Sequence, residues 1–439
     1  MGAHQLLGRG RSGRGRRTAA VAVADRGRAG RRTGMTAAVL GPLGVDVERG
    51  PAVLAAIDSG PSLAAHRRWH GEPGRPQLTP LLADLERVGL RGRGGAGFPF
   101  GRKLEAAAEA SGRPSVVVNL SEGEPASAKD AALARTAPHL VLDGAVTAAR
   151  VLGSREVHLV VPGADLQVRA SIETAVRERR DERIRFDMHR ADEAFVAGQA
   201  AAVIELMAGR PNRPVTTWQP AAVRGHRGRP TLLSNGETFA QLALLVLHGV
   251  DAYLAHGTPG EPGTALLTVH DDLGCRVVEA EFGTKWEAVL ASDDVDRPVL
   301  LGGYHGTWAD AGELRDLTVS RTGLADVGLT LGAGVVLVPD GCPLTFAASV
   351  TSYLADESAG RCGPCFNGLP ALAEALHRVT TGIGGRGETE RLCRMVERRG
   401  ACAHPDGTAR MVRSALTRFP AEVDRHARGG CSYRAGGGG

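Results

Sequence analysis

Two kinds of apolar pattern alternate along the chain. Short continuous apolar runs, bounded by turn residues, occur in SVVVNLSEGEP (115–125) and EVHLVVPG (156–163). Runs of that length predict buried strands. Around them, LTPLLADLERVGLRGRGGAGFPFGRKLEAAAEA (78–110) reads as two helices separated by a glycine-rich loop. HLVLDGAVTAARVLG (139–153) predicts an amphipathic helix, and LQVRASIETAVRERRD (166–181) a further one. Strands alternating with helices predict an α/β layer with a parallel sheet.

The pattern changes after residue 250. TALLTVHDD (264–272), RVVEAEFGT (276–284) and RPVLLGG (297–303) predict short strands separated by turns, with one short helix in TKWEAVLA (284–291). That arrangement fits a small β-rich domain of the β-grasp type. From Leu344 on, apolar residues recur every three or four positions through LPALAEALHRV, ETERLCRMVERR and ARMVRSALTRFPAEVDRHA, as in an antiparallel helix bundle. The expected division is a disordered Arg/Gly-rich extension (1–34), a loosely structured lead-in (35–77), an α/β domain (78–248), a β-grasp domain (249–335), a helical domain (336–434) and a frayed tail (435–439).

Length and composition support several packed units: 439 residues, 43% hydrophobic. The longest apolar run, FAQLALLVLHGV (239–250), falls short of the ~20 residues that span a bilayer and predicts a buried helix. Net charge is +5, yet residues 1–32 alone carry nine arginines and one acid, which leaves the remainder slightly acidic. The positive charge therefore belongs to the extension, and no nucleic-acid partner is expected. Met35 reads as a natural start for the part that follows, and RRTAAVAVAD makes a poor export signal. Seven cysteines without such a signal point to a reducing compartment, hence a cytoplasmic location, and to metal or redox roles rather than a disulfide framework. With 50 arginines against three lysines, Lys103, Lys129 and Lys285 each invite a reason.

Four stretches carry candidate chemistry. RGRGGAGFP (91–99) places Gly92, Gly94, Gly95 and Gly97 ahead of a helix that holds Lys103. Such a loop presents backbone N–H groups to an anion, with the helix N-terminus and a lysine behind it; the bland reading is a structural turn. The strand–loop at Asn119, Glu122 and Glu124 would stand at the C-terminal edge of the sheet, where ligands bind. Alternatively its acids are solvated loop carboxylates. TLLSNGETF offers Ser234 and Asn235, an ordinary N-cap unless it faces the same crevice. ESAGRCGPCFNG (357–368) carries Cys362 and Cys365, with Cys402 further on. Cys275 and Cys342 read as plain thiols.

GRGGAGFPFGRK, NLSEGEPASAKD, PTLLSNGET and ESAGRCGPCFNG occur here in the same order and at similar separations as in one family. Over roughly residues 75–430 the chain resembles the NADH- and FMN-binding, iron–sulfur subunit of bacterial respiratory complex I. The same module occurs in NAD-linked hydrogenases and formate dehydrogenases. The resemblance implies a Rossmann-like FMN/NADH domain, a β-grasp domain and a C-terminal helix bundle with a 4Fe–4S cluster. It implies hydride transfer from NADH to FMN, then single electrons through the cluster to a quinone- or ferredoxin-linked partner. Partner subunits and peripheral attachment to a membrane complex are expected with it. Gly92, Gly94, Gly95, Gly97 and Lys103 would hold FMN and nucleotide phosphates. Asn119, Glu122, Glu124, Ser234 and Asn235 would line the flavin, and Phe98 would pack near the adenine. Cys362, Cys365 and Cys402 would bind the cluster.

Three departures stand out. The family has two acids after a glycine where this chain has Gln199 and Ala200 after Gly198. The helix after the glycine loop has Leu104 and Ala106 where the family has more aromatics, so Phe98 lacks its partner. The family motif E-S-C-G-x-C-x-P-C has a cysteine where Ala359 stands. Three thiolates suit a 3Fe–4S cluster, or a 4Fe–4S cluster with another fourth ligand, for which Cys393, His404 and Cys431 are candidates. Zinc is a second reading of the cysteines. Two alternative functions stand beside NADH oxidation: an FMN electron-transfer subunit that does not use NADH, and a cofactor-poor assembly or scaffold protein.

Overall fold

The computed structural model describes residues 44–179, 183–291 and 296–433. The extension and tail expected to be disordered lie outside these residues. In chain order the strands are β1 (Asp46–Val47), β2 (Ser115–Asn119), β3 (Glu156–Pro162), β4 (Arg185–Ala191), β5 (Thr231–Asn235), β6 (Thr264–Asp271), β7 (Gly274–Glu281), β8 (Pro298–Leu301), β9 (Thr307–Asp310) and β10 (Val335–Leu337).

The first sheet has the order β4–β3–β2–β5 and is parallel throughout. Its two central strands are apolar on both faces because both faces are covered. Val116, Val118, Leu159 and Leu232 pack toward the helices Pro138–Val151 and Gly236–Leu254. Val117, Val160 and Leu233 pack toward the helix Ala200–Met207 on the other side. Strand β4, RFDMHRA, has no counterpart among the predicted strands. As an edge strand it carries Arg185, Asp187 and Arg190, so it lacks the apolar run that marks its neighbours.

Two expectations change together. The described part of the lead-in, from residue 44, is ordered rather than loose: β1 pairs in parallel with β7, and the Glu279 carboxylate accepts the N–H groups of Ala52, Val53 and Leu54 at 2.8–3.1 Å. The lead-in helix Leu63–His70 then packs on Pro138–Val151. That helix is consequently buried on every side from Pro138 to Ala149, not amphipathic. Its Asp143 is paired instead: His66 Nε2 meets Asp143 at 2.7 Å, and Arg179 also bonds Asp143. The cavity lined by His66, Arg67 and Asp143 is a structural seam of this packing.

The second sheet has the order β1–β7–β6–β10–β8–β9. β6 and β7 form an antiparallel hairpin, β10 joins β6 in parallel, and β8 pairs antiparallel with β10 and β9. TKWEAVLA forms only a 3-10 turn, Trp286–Ala288, pinned by the buried Trp286 whose Nε1 donates to Thr318 O at 3.2 Å. Helices Pro343–Asp356, Leu369–Thr380, Arg386–Val396, His404–Arg418 and Pro420–Ala427 complete the chain around Leu344, Val350, Leu354, Leu376, Val412 and Leu416. Among the described residues no helix is long and apolar enough to cross a membrane.

Candidate functional site: a strand-end crevice joined to a thiol cluster

The first sheet begins at β2, adds β3 and β4 on one side, and places β5 on the other. The order in which strands are added therefore reverses between β2 and β5, which is where open α/β sheets bind ligands. Asn119 and Asn235 end these two strands and are direct partners in register. Ser234, one residue earlier opposite Val118, is buried. Asn119 Nδ2 donates to Gly198 O at 2.9 Å, and its Oδ1 accepts from Ser121. Asn235 caps the helix Gly236–Leu254, accepting from Thr238 N at 3.4 Å, and its Nδ2 donates to Asp130 at 3.2 Å. It is an N-cap that stands at the strand end beside Asn119.

The glycine loop approaches the end of β5. Gly92 N donates to Phe98 O at 2.9 Å, which ties the loop into a hairpin. Gly95 has φ +97°, a conformation that suits glycine, and Gly97 follows at φ +60°. A side chain on Gly94 would come within 4.0 Å of Asn235. Phe98 is half-exposed at 50%, a bare ring face at the loop tip. Lys103 lies in the first turn of the helix Phe100–Glu109, and its ammonium donates to Leu233 O of β5 at 3.0 Å. Among the described residues no carboxylate pairs with Lys103. Burial pulls its pKa down. A partly buried cation with spare donors fits an anionic group such as a phosphate.

The acids of the strand–loop divide. Glu122 caps the helix Lys129–Thr136, accepting from Ser127 Oγ at 2.6 Å, Asp130 N at 3.0 Å and Ala131 N at 3.1 Å. Its lone pairs are spent on the fold. Glu124 accepts from Tyr304 N at 3.1 Å, while its Oε1 is buried with no hydrogen-bond partner. Burial pushes the Glu124 carboxyl up to about 8, against the opposing pull of the backbone N–H groups. An orphaned buried oxygen beside the crevice fits a site meant for a hydrogen-bonding ligand.

Lys129 belongs to the scaffold. Its ammonium lies 2.9 Å from Glu237 and 3.0 Å from Asp130, all three buried, with Arg93 Nε 3.8 Å from Glu237. Asp130 also accepts Glu237 N, and Glu237 accepts Leu266 N of β6 at 2.9 Å. This network ties glycine loop, strand–loop and second sheet together. Sequence reasoning passes over Arg93, Asp130 and Glu237. The available signal is an arginine inside a glycine run and two acids inside the quoted motifs NLSEGEPASAKD and PTLLSNGET. Replacing Lys129 with Met leaves Asp130 and Glu237 buried with less compensation. A loss of about 3–5 kcal/mol is expected, measured by urea unfolding; a loss under about 1 kcal/mol would show the pair to be water-solvated.

The thiol cluster stands next to this crevice. Cys362 Sγ and Cys365 Sγ are 3.5 Å apart, at the start of a π-helical turn, Pro364–Gly368. Burial raises the Cys365 thiol, but the N–H groups of Arg361, Cys362 and Gly360 and the Cys362 thiol outweigh it and hold the group below its usual range. Such N–H groups are the fit expected of a thiolate on a cluster. Burial pushes Cys402 up, and the Gln199 amide, Cys365 and Cys362 are all near enough to act on it. Ala359 is buried against Val196 and Cys365 and offers no ligand atom. Three thiols, with alanine in place of a fourth sulfur at 359, fit a three-thiolate iron–sulfur site.

The candidate fourth ligands are placed elsewhere or occupied. Cys393 is fully buried in the helical core, and burial pushes its thiol up to about 12. His404 Nε2 bonds Leu354 O at 2.7 Å and its Nδ1 meets His305 at 3.2 Å. Cys431 stands beside Cys342, Glu422 and His426.

One short segment joins the two sites. Phe195–Gly198 is a 3-10 turn that lies against the strand–loop: a side chain on Gly123 would come within 2.3 Å of Phe195 O. Gly198 O holds Asn119, Gln199 reaches Cys402, and Val196 packs on Ala359 and Cys365. Phe195 itself packs among Tyr304, His305, Tyr353 and His404. Ala200 opens the next helix and is exposed.

Comparison with known proteins gives the same two parts in the same order. The Nuo51 FMN-binding domain matches residues 85–244, and the NADH-ubiquinone oxidoreductase-F iron-sulfur binding region matches residues 345–426. NADH-quinone oxidoreductase F-subunit 2 of Rhizobium meliloti (strain 1021) is 28% identical over 409 residues, covering 87% of this chain and 96% of the relative. The NADH-quinone oxidoreductase F-subunit of Streptomyces coelicolor is 28% identical over 417 residues, 87% and 92% of the two chains. Among solved structures, an NAD+-reducing [NiFe]-hydrogenase in the air-oxidized state superposes with a TM-score of 0.77 at 25% identity, covering 87% of this chain and 67% of that one. With the strand-end crevice, the glycine loop and the neighbouring cysteines in the matching order, the chain belongs to the family of NADH-quinone oxidoreductase F-subunits, the FMN-binding, iron–sulfur component shared with NAD-linked hydrogenases.

Proposed function

We propose that this chain oxidises NADH and passes the electrons through FMN to an iron–sulfur centre, as the flavin subunit of a larger redox complex. The observation that carries the reading is the segment Gly198–Gln199: Gly198 O holds Asn119 at 2.9 Å, and the Gln199 amide lies near enough to Cys402 to act on its thiol. FMN, when bound, supplies two-electron chemistry, and the cluster a one-electron exit.

The chain's own part is positioning. Lys103 and the N–H groups of Gly92, Gly94, Gly95 and Gly97 receive phosphate; Asn119 and Asn235, with Ser234 beneath, hold the ring edge. Glu124, kept protonated at neutral pH, offers a donor rather than a charge. Phe98 presents its exposed ring to the adenine. Cys362, Cys365 and Cys402 ligate the cluster. Electrons leave to a partner subunit or ferredoxin-like protein, and attachment to a membrane complex comes through such partners.

Gln199 favours a second reading. Its amide serves Cys402 at the point where the family carries an acid for the nicotinamide. An FMN/iron–sulfur electron carrier that does not take electrons from NADH fits that change.

Anaerobic spectroscopy decides between them. The purified protein is expected to show flavin and iron–sulfur absorbance that bleaches on adding NADH. Bleaching by dithionite alone would select the second reading, and a colourless, iron-free protein would exclude both. Lys103→Met is expected to raise the FMN Kd roughly tenfold to a hundredfold, the loss of one charge-assisted contact, read by flavin fluorescence titration.

A further inference from the structure

Outside the crevice and its cysteines, the described residues hold two groups of potential metal ligands, Glu156 with His158 and Asp187, and a second that alone includes thiols. Cys342, Glu422, His426 and Cys431 place one ligand atom each so that all lie within 4.8 Å of one another. Cys342 Sγ is 3.3 Å from His426 Nε2, and His426 Nε2 is 3.3 Å from Glu422 Oε1.

The local sequence builds this group from two ends of the helical domain. Glu422 and His426 are one turn apart on the helix Pro420–Ala427, so their side chains share a face. Gly429, at φ +77°, reverses the chain, and Gly430 N bonds back to Arg425 O at 3.0 Å. That turn lays Cys431 over the end of the same helix. Cys342 comes from far away in sequence, as the N-cap of Pro343–Asp356. The cysteines are half-buried while Glu422 and His426 are 6% and 7% exposed, so an ion could enter from the cysteine side.

The outer contacts are those of a ligand set. His426 Nδ1 bonds Thr380 O at 2.6 Å; a carbonyl only accepts, so the ring proton sits on Nδ1 and the Nε2 lone pair faces the cysteine and the glutamate. Glu422 Oε1 accepts from Ser432 N at 3.0 Å, and Arg425 lies 3.6 Å from its other oxygen. Two thiolates and one carboxylate around a divalent ion leave one negative charge, which Arg425 offsets.

We infer that Cys342, Glu422, His426 and Cys431 form a structural zinc site that clamps the C-terminal segment to the start of the helical domain. Two sulfurs, one imidazole nitrogen and one carboxylate oxygen match zinc's preference for four mixed ligands. Bonds of about 2.0–2.3 Å put tetrahedral ligand atoms about 3.4–3.8 Å apart, so the site needs only a small contraction. Binding releases one proton from each thiol to solvent. The site is separate from the redox cysteines: the 14-residue helix Pro343–Asp356 has Cys342 at its start and Ala359 beyond its end, about 20 Å apart. The clamp therefore closes a loop from 342 to 431 that contains all the cluster cysteines.

The test uses the purified holoprotein with its thiols reduced. About one zinc per chain is expected in addition to the cluster iron. Cys342→Ser combined with Cys431→Ser is expected to lose the zinc and keep the iron, whereas Cys402→Ser loses iron and keeps zinc. Because the double variant could misfold, wild-type protein stripped of zinc is also titrated with Co(II). Tetrahedral cobalt–thiolate bands are expected, unchanged by Cys362→Ser, with affinity reduced at least about tenfold by His426→Ala. No zinc and no cobalt bands in the wild type would overturn the inference. So would bands that survive in the double variant, or a Cys342–Cys431 disulfide persisting under reducing conditions.

Discussion

Cys402→Ser is expected to remove most of the iron–sulfur signal, and Ala359→Cys to enlarge it. Cys362 and Cys365 already stand 3.5 Å apart, and Cys402 is close enough for both to act on its thiol. Ala359 is 3% exposed and packs directly on Cys365, so a sulfur added there points into the same small volume. In a purely apolar pocket, forcing in an extra heavy atom costs about 1–3 kcal/mol. At a vacant cluster corner the added thiolate instead becomes a ligand. Iron per chain is expected to rise from about three to about four, with a matching change in the low-temperature EPR spectrum. A full signal in Cys402→Ser would show that the ligands are elsewhere. Unchanged iron in Ala359→Cys, with the protein folded, would show that the fourth corner is already filled.

Glu124→Gln is expected to flatten the dependence of stability on pH. Burial raises this carboxyl from 4.5 to about 8 in the folded protein. Between those values the native state keeps a proton that the unfolded chain has released. Stability from this group is therefore complete below pH 4.5 and is lost as pH rises through about 8. The integrated effect is on the order of 4–5 kcal/mol. Glutamine mimics the protonated acid and does not titrate, so the variant should lose much less stability than wild type between pH 5 and pH 8. Urea unfolding at the two pH values measures the difference. Parallel losses in both proteins would mean that Glu124 is ionised in the fold. A proton held here also makes Glu124 a donor toward the crevice, which links the stability measurement to the site.

Much of the architecture is legible because burial leaves a periodic mark. The apolar runs of β2 and β3 and the three- and four-residue spacing of the C-terminal helices come from faces that must be covered. The order of the glycine loop, the Asn119 strand–loop, Asn235 and the cysteines points to the family that the comparisons show. Polar partnerships leave no such mark. Glu122 looks like a ligand in sequence and is a helix cap; Lys129 looks like a site lysine and is the centre of a buried ion triad with Asp130 and Glu237. The lead-in looks loose because its order depends on Glu279, more than two hundred residues away.

The amino-acid sequence by itself therefore determined most of the element types, the parallel layer, the cysteine motif and the substitution at Ala359. Each of these depends on neighbours a few residues apart. Only the tertiary structure decided which polar groups meet: Asn119 beside Asn235, Gln199 on Cys402, Cys431 with Cys342 rather than with Cys362. The physical reason is that hydrogen bonds and metal ligands are short and directional. Their partners are chosen by where the packed sheets and helices bring distant residues together, and hydrophobic periodicity carries no record of that choice.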